Sequence, residues 1–426
     1  MVPYRSRAPR TGLTGHTTVT SPGDASIDRI AACLDAELVS LRRDIHRWPE
    51  LAGAERRTAS AVAQRLRAAG LSPATGVGGH GVVAVLDGAR PGPTVAYRAD
   101  MDAVAGDELA VGECSSQVPG VAHLCGHDLH TAIGVGVAQV LTRLRHRFSG
   151  RVVFLFQPAE ETLRGASAMI ETGVLDRTAP REIYALHCGQ LPVGTFAVSP
   201  GAGQAGQDVG HIEVSGPDAI DRGERLLAAL NGLCTIAYPR TPAELARVVL
   251  DLQLPDGPLA RFVFVQSRST SGEDGTVRIR LGLRAWPDEV YPLLRKEVCR
   301  IVGAVGCARV EFPQPPFPAM VSSRELSWAA AVHLRLVAGV RAVKVLRAVL
   351  PFNSDDFALF LHRVPGAMLY LGVADPDTGV NGIPHAPDFA ADERAIGLGV
   401  RAMAGLLLRR LHVLHRESRG GGNGRL

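Results

Sequence analysis

A chain of 426 residues exceeds what one ordinary hydrophobic core organises, so two domains are expected. Hydrophobic residues make up 46% and charged residues 21%, a globular balance that excludes a disordered or fibrous chain. The net charge of +4, with no run of Lys or Arg that could track phosphates, argues against nucleic-acid binding, and no stretch approaches the ~20 apolar residues of a membrane span.

Residues 1–26 carry no apolar segment of signal-peptide length and are expected to fray, as is the Gly/Arg-rich stretch 416–426. From 27 to 69 apolar residues recur at helical spacing, broken at Trp48-Pro49-Glu50, which predicts two helices joined by a turn. Short β-branched runs at 81–86 and 94–98 predict strands. A helix at 131–144 follows, then a strand at 152–156, a helix near 165–172 and a strand at 183–186. Such alternation predicts a mainly parallel sheet covered by helices, because parallel neighbours need a crossover between them.

Between 207 and 312 the order changes to strand 211–214, helix 222–233, strands 262–266 and 277–283, helix 289–302 and strand 308–312. This βαββαβ, ferredoxin-like order predicts an inserted α+β lid domain at 207–312, flanked by the two parts of an α/β catalytic domain at 27–206 and 313–415. The second part contributes a helix at 325–337, a strand at 367–372 and a helix at 392–411. The seven cysteines, at 33, 114, 125, 188, 234, 299 and 307, are odd in number and form no CxxC pair. A reducing, cytoplasmic setting fits them best.

The densest group of metal-ligand side chains is His123-Leu124-Cys125-Gly126-His127-Asp128-Leu129-His130, between a strand and a helix. In an extended loop, Cys125 and His127 would point the same way and could meet one ion. Taken alone, the segment also allows a buried thiol with helix-capping polar residues. Three further segments deliver acids or imidazoles near strand ends: Glu160-Glu161 after the 152 strand, His187, and His385 after the 367 strand. Adjacent carboxylates are costly to bury unless a cation or a proton neutralises them. Asp100 and Asp102 add two more at the same edge.

The segments Arg98-Ala99-Asp100-Met101-Asp102-Ala103, Cys125-Gly126-His127-Asp128-Leu129-His130, Glu160-Glu161, Ala185-Leu186-His187, Asn353-Ser354-Asp355-Asp356-Phe357 and His385-Ala386-Pro387 resemble, in order, the di-metal aminoacylase and carboxypeptidase-G-like peptidases. The branch they most resemble holds hippurate hydrolases and N-acyl-amino-acid (auxin-conjugate) amidohydrolases. The resemblance implies a zinc-peptidase type of phosphorylase/hydrolase-like catalytic fold. It also implies metal ligands Cys125, His127, Glu161, His187 and His385, a catalytic base Glu160, an acid Asp102 that orients a ligand, and supporting roles for Asp128 and His130. Five ligands suit two ions better than one tetrahedral ion with an open position. Thiolate, imidazole and carboxylate together fit zinc, with manganese, cobalt or nickel as alternatives. The implied activity is hydrolysis of an N-acyl amino acid or related amide by attack of metal-bound hydroxide, in a homodimer. Glu160 and Glu161, as strand-end neighbours, are expected to face opposite ways, one to metal and one to water.

The lid departs from the pattern. Relatives carry a Gly-Gly-His block after its first strand and a later Asn, the His stabilising the oxyanion. Here Val214-Ser215-Gly216 runs into Pro217-Asp218, and the lid's only His and Asn are His211 and Asn231. Losing such a donor costs ~2.7 to 4 kcal/mol of transition-state stabilisation. Two other readings therefore stay open: a metal-binding scaffold or regulator with little activity, and a biosynthetic amide-processing enzyme.

Overall fold

The computed structural model describes residues 24–109, 112–272 and 275–420. Of the segments expected to fray, 1–23 and 421–426 lie outside the described residues. The remainder departs from that expectation: Ala25 and Ser26 begin the helix Ala25–Arg47, capped by Asp24, whose side chain accepts from Ser26 N, and 416–420 belong to the helix Arg394–Gly420.

An eight-stranded sheet forms the larger layer. Its centre is four mutually parallel strands, in the order Ser149–Gln157, Arg90–Asp100, Glu182–Pro192 and Gly366–Ala374. Gly81–Asp87 and Ala74–Val77 extend one side, Phe196–Val198 and Val343–Val345 the other, with Gly81–Asp87 and Phe196–Val198 antiparallel to their central neighbours.

The period-2 alternation of strand side chains sorts the core onto two faces. Val95, Tyr97, Ala99, Val152, Phe154 and Phe156 point to one face. There they meet Ala25–Arg47, His127–Arg143 and Arg394–Gly420, helices that also pack on one another. Ala96, Val153, Leu155, Ile183, Ala185 and Met368 point to the other, against Gly165–Glu171, Val174–Thr178 and Phe357–Leu361. Burial on both faces explains why the 152–156 run is continuously apolar.

The smaller layer is an antiparallel sheet ordered Phe262–Ser271, Val277–Trp286, Asp208–Val214, Ala308–Glu311. Ala219–Asn231 and Tyr291–Val305 cover one of its faces. Three described α-helices escaped the sequence reading: the short Val174–Thr178 and Phe357–Leu361, and Pro242–Asp251, which is started by a reciprocal capping box between Thr241 and Glu244. No described helix is long and apolar enough to cross a membrane.

Two local expectations need correction. Cys125 and His127 do not share an extended loop: Gly126 sits at φ 82° and the helix begins at His127, not 131. A Cβ on Gly126 would lie 2.4 Å from Cys188 Sγ, so both the left-handed backbone and the close approach require glycine. Glu160 and Glu161 are not strand-end neighbours either. The strand stops at Gln157, and positive φ at Ala159 and Leu163 folds the acids into a turn.

Candidate metal centre

The site lies at the carboxyl edge of the parallel strands, where connections from several strands converge. Asp100 and Asp102 leave the Arg90 strand, and Glu160 and Glu161 leave the Ser149 strand. His187 lies within the third strand, which continues to Pro192 because Gly189 still pairs with Gly372. His385 comes from the loop after the fourth, at φ 63°, its N–H donating to Leu124 O at 2.7 Å.

These side chains meet. Cys125, His127 and Glu161 each offer a ligand atom within 4.8 Å of one another. Cys125 Sγ lies 3.6 Å from His187 Nε2, and His385 Nε2 lies 3.6 Å from Glu161 Oε1. All five residues named from the sequence as ligands are thus joined in one chain of near contacts.

Hydrogen bonds decide which imidazole nitrogens are free. His127 Nδ1 is 2.9 Å from Asp102 O, and His187 Nδ1 is 2.7 Å from Cys188 O, so each donates there and presents Nε2 inward. His130 has nothing left to offer: Nδ1 donates to Asp100 Oδ1 at 2.6 Å and Nε2 accepts from Cys188 N at 2.8 Å. It braces two segments of the site instead. Asp102 Oδ2 accepts from Glu161 N at 3.0 Å while Oδ1 lies 3.4 Å from His127 Nδ1, so this one acid steadies both neighbours. Asp128 turns away, its Oδ2 ion-paired with Arg42 Nε and hydrogen-bonded to His46 Nδ1, both at 2.7 Å, which ties the helix start to Ala25–Arg47.

A cation fits this arrangement. Among the buried side-chain atoms without a hydrogen-bond partner are His127 Nε2 and Glu161 Oε1, which lie 3.7 Å apart in the group that also holds Cys125. Orphaned buried polar atoms are costly, and a divalent ion would satisfy them. The donor set of thiolate, imidazole and carboxylate suits zinc.

The electrostatics agree. Burial raises the Cys125 thiol well above its ordinary range, with Glu161 adding to it. Burial also raises Glu161, against the pull of His385 and His127. On His127 burial opposes charge, but Asp100 and Asp102 outweigh it and lift the imidazole to about 10. Burial, with His130 beside it, holds His187 well below its usual value. Two imidazoles 5.9 Å apart are thus pushed in opposite directions, and a metal bound at His127 Nε2 would displace a proton from it.

Sequence reasoning missed a second charged cluster. Arg98, almost fully buried, reaches Asp100, Asp355 and Asp356, the last two at 3.2 Å each, and donates from Nε to Gln157 Oε1 at 2.8 Å. Glu160 shares a 4.8 Å group with Asp355 and Asp356, and its Oε2 lies 3.8 Å from His127 Nε2. Burial and the neighbouring carboxylates of Asp355, Glu161 and Asp356 hold Glu160 well above the ordinary carboxylate range. The adjacent acids Asp355-Asp356 were the available signal, of the same kind as Glu160-Glu161.

Above these groups opens a cavity of about 970 Å³ between the two layers. The catalytic layer contributes Cys125, Glu160, Glu161, His187 and His385, and the smaller layer contributes Tyr238, Gln266, Arg280, Gly282 and Arg284. His211 and Asn231 are not among its lining residues. His211 lies on the strand Asp208–Val214 opposite Arg280, and Asn231 accepts from Ser267 Oγ at 3.4 Å.

A mainly parallel α/β sheet with imidazoles, a thiol and carboxylates gathered at the carboxyl edge of its parallel strands, under an antiparallel α+β layer, defines a metal-dependent hydrolase. The chain belongs to the peptidase family M20/M25/M40, whose model matches residues 96–409. It is 30% identical to thermostable carboxypeptidase 1 of Saccharolobus solfataricus, over 86% of this chain and 93% of that one. It is also 30% identical to IAA-amino acid hydrolase ILR1-like 6 of Arabidopsis thaliana, over 89% and 81% respectively. The crystal structure of Bacillus subtilis YXEP, a dinuclear metal-binding peptidase of the M20 family, superposes with a TM-score of 0.69. It is 25% identical to this chain, over 89% of this chain and 99% of that one. The likeness to the amidohydrolase branch drawn from the sequence motifs is therefore correct.

Proposed function

We propose that the protein hydrolyses the amide bond of an N-acyl amino acid or a related amide, using two divalent cations per chain, zinc first among them. The observation that carries this reading is the convergence of Cys125, His127, Glu161, His187 and His385 around unpaired inward-facing atoms, with a further carboxylate, Glu160, at the floor of the cavity. When bound, such cations polarise a scissile carbonyl and bring the pKa of a water toward ~7.

The chain's own groups supply the rest. Glu160 holds a proton readily, because burial and three neighbouring carboxylates disfavour its charge, so it can take a proton from water and return it to the leaving amine. Asp102 fixes His127 and the backbone of Glu161. Arg284 donates to Gln266 Oε1 at 2.8 Å, Gln207 Oε1 at 2.7 Å and Ser354 Oγ at 3.4 Å, all neutral acceptors, leaving its charge to a substrate carboxylate. Burial lowers its pKa to about 10, which leaves it charged at neutral pH. Tyr238 and Phe352, with ring centroids 5.1 Å apart, give the cavity an aromatic wall for the acyl half.

A homodimer joined through the smaller layer belongs to the same reading, and light scattering measures it. Purified, metal-loaded protein given a panel of N-acetyl and N-benzoyl amino acids tests the activity. Turnover that disappears in Glu160→Gln while metal content holds supports hydrolysis. Full metal occupancy with no turnover on any amide favours the scaffold reading, to which the lid's lack of the relatives' His and Asn lends weight.

A further inference from the structure

We infer that the cleft selects substrates whose amine half carries two anionic groups, the second held by Arg280. This rests on the reading of the site as an amide hydrolase with Arg284 on the first carboxylate, and it names the substrate class.

On the strand Val277–Trp286, Val277, Ile279, Leu281, Leu283 and Ala285 are buried against the lid helices. The alternate residues therefore face the opposite side. Three of them, Arg280, Gly282 and Arg284, line the cavity. Gly282, between the two arginines, leaves a gap: a Cβ there would meet nothing nearer than Gln266 O at 3.6 Å. Arg280 and Arg284 thus stand at the two ends of one open lane, ~13 Å long at the backbone. Their charges also feel each other, since Arg280 adds to the effect of burial in lowering Arg284.

Across the sheet Arg280 faces Arg268 on one neighbour and His211 on the other. Arg280 is exposed to solvent and so needs no internal counter-charge, but two cations held directly opposite each other raise the local positive potential and favour an anion there. The nearby Glu213 is opposite Arg278 and pairs with Arg278 at 3.9 Å and Arg309 at 3.4 Å. Among the described residues, no carboxylate forms an ion pair with Arg280. A substrate with a single carboxylate would satisfy Arg284 and leave Arg280 as it is. An amine half with a side-chain carboxylate or phosphate would engage both.

The test uses three conjugates with the same acyl group, on glutamine, glutamate and O-phosphoserine, against the metal-loaded protein and Arg280→Gln. In the unaltered protein the inference expects kcat/KM for the better dianion to exceed that for the glutamine conjugate by about tenfold. The glutamate and phosphoserine arms identify which anion the lane prefers. In Arg280→Gln the ratio should fall to about one, with the melting temperature unchanged. A ratio near one in the unaltered protein, or one that survives the substitution, overturns the inference. So does a variant that loses its dimer in light scattering while keeping the preference, because Arg280 would then serve an interface. If no conjugate is hydrolysed, the hydrolase reading fails, and calorimetric binding of the same conjugates still decides. Tenfold tighter glutamate or phosphoserine binding that is lost in Arg280→Gln upholds the second anion subsite, and equal binding overturns it.

Discussion

Replacing Glu160 with glutamine separates chemistry from metal binding and from folding. Glutamine keeps the shape of the side chain, which lies 3.8 Å from His127 Nε2 in a group with Asp355 and Asp356, but it cannot carry a proton back and forth. General acid–base groups contribute roughly 10² to 10⁴ in rate, so the barrier should rise by about 3 to 5 kcal/mol. Stability should move the other way. Burial and like charge raise the folded-state pKa of Glu160, so above the unfolded value its ionisation opposes folding, and removing that charge relieves the repulsion. The assay is kcat/KM on a responsive N-acyl amino acid, with metal per chain and melting temperature measured on the same samples. The account expects a fall of a hundredfold or more at constant metal content, with a melting temperature equal or higher. A variant retaining a third of the activity, or one inactive because its metal is gone, would refute this assignment of roles.

Other perturbations probe the surroundings. Arg98→Met strands Asp100, Asp355 and Asp356 without their buried counter-charge, which should cost about 3 to 5 kcal/mol in urea unfolding; a loss below about 1 kcal/mol would contradict the hub. Gly126→Ala forces a φ of 82° on a residue with a Cβ and drives that atom into Cys188 Sγ, so both the melting temperature and the metal content should drop, and a variant equal to the parent in both would be inconsistent with the packing. Burial lowers His333 to about 4, so the native state keeps it neutral while the unfolded chain takes up a proton near 6.5. Its contribution is fully present above about 6.5 and is lost as pH falls toward 4, to a total of about 3 kcal/mol, and urea midpoints at pH 7 and pH 4 should differ less in His333→Gln than in the parent.

Much of the architecture was legible in the sequence because the forces shaping it are local. The doubly buried strand around Phe154, the proline break at Pro49 and, apart from the helix Pro242–Asp251, the βαββαβ order of the smaller layer all follow from periodicity and turn residues. The start of the helix at His127 was not legible. Of its first four residues only Leu129 is apolar, too few to show periodicity, and the turn is pinned because Asp128 is tied to Arg42 and His46 while His130 is tied to Asp100. The turn through Glu160 was hidden for a similar reason: Ala159 at φ 53° is held by Glu55, whose Oε1 accepts from Ala159 N at 2.8 Å across about a hundred residues of chain. Convergence of Cys125, His127, Glu161, His187 and His385 was expected from their places at strand ends, whereas the role of Arg98 depended on Asp355 and Asp356 arriving from the far end of the sequence. The alternating cations of Val277–Trp286 were visible, but the cavity they face is made by the other layer.

Zinc-edge X-ray absorption on the zinc-loaded protein, with Cys125→Ser measured in parallel, tests the central claim most directly. Thiolate coordination places a sulfur shell at ~2.3 Å beside the nitrogen and oxygen shell at ~2.0 to 2.1 Å. The account predicts that shell in the parent and its disappearance in the variant. A spectrum with no sulfur contribution, or a sulfur shell that persists without Cys125, would contradict it.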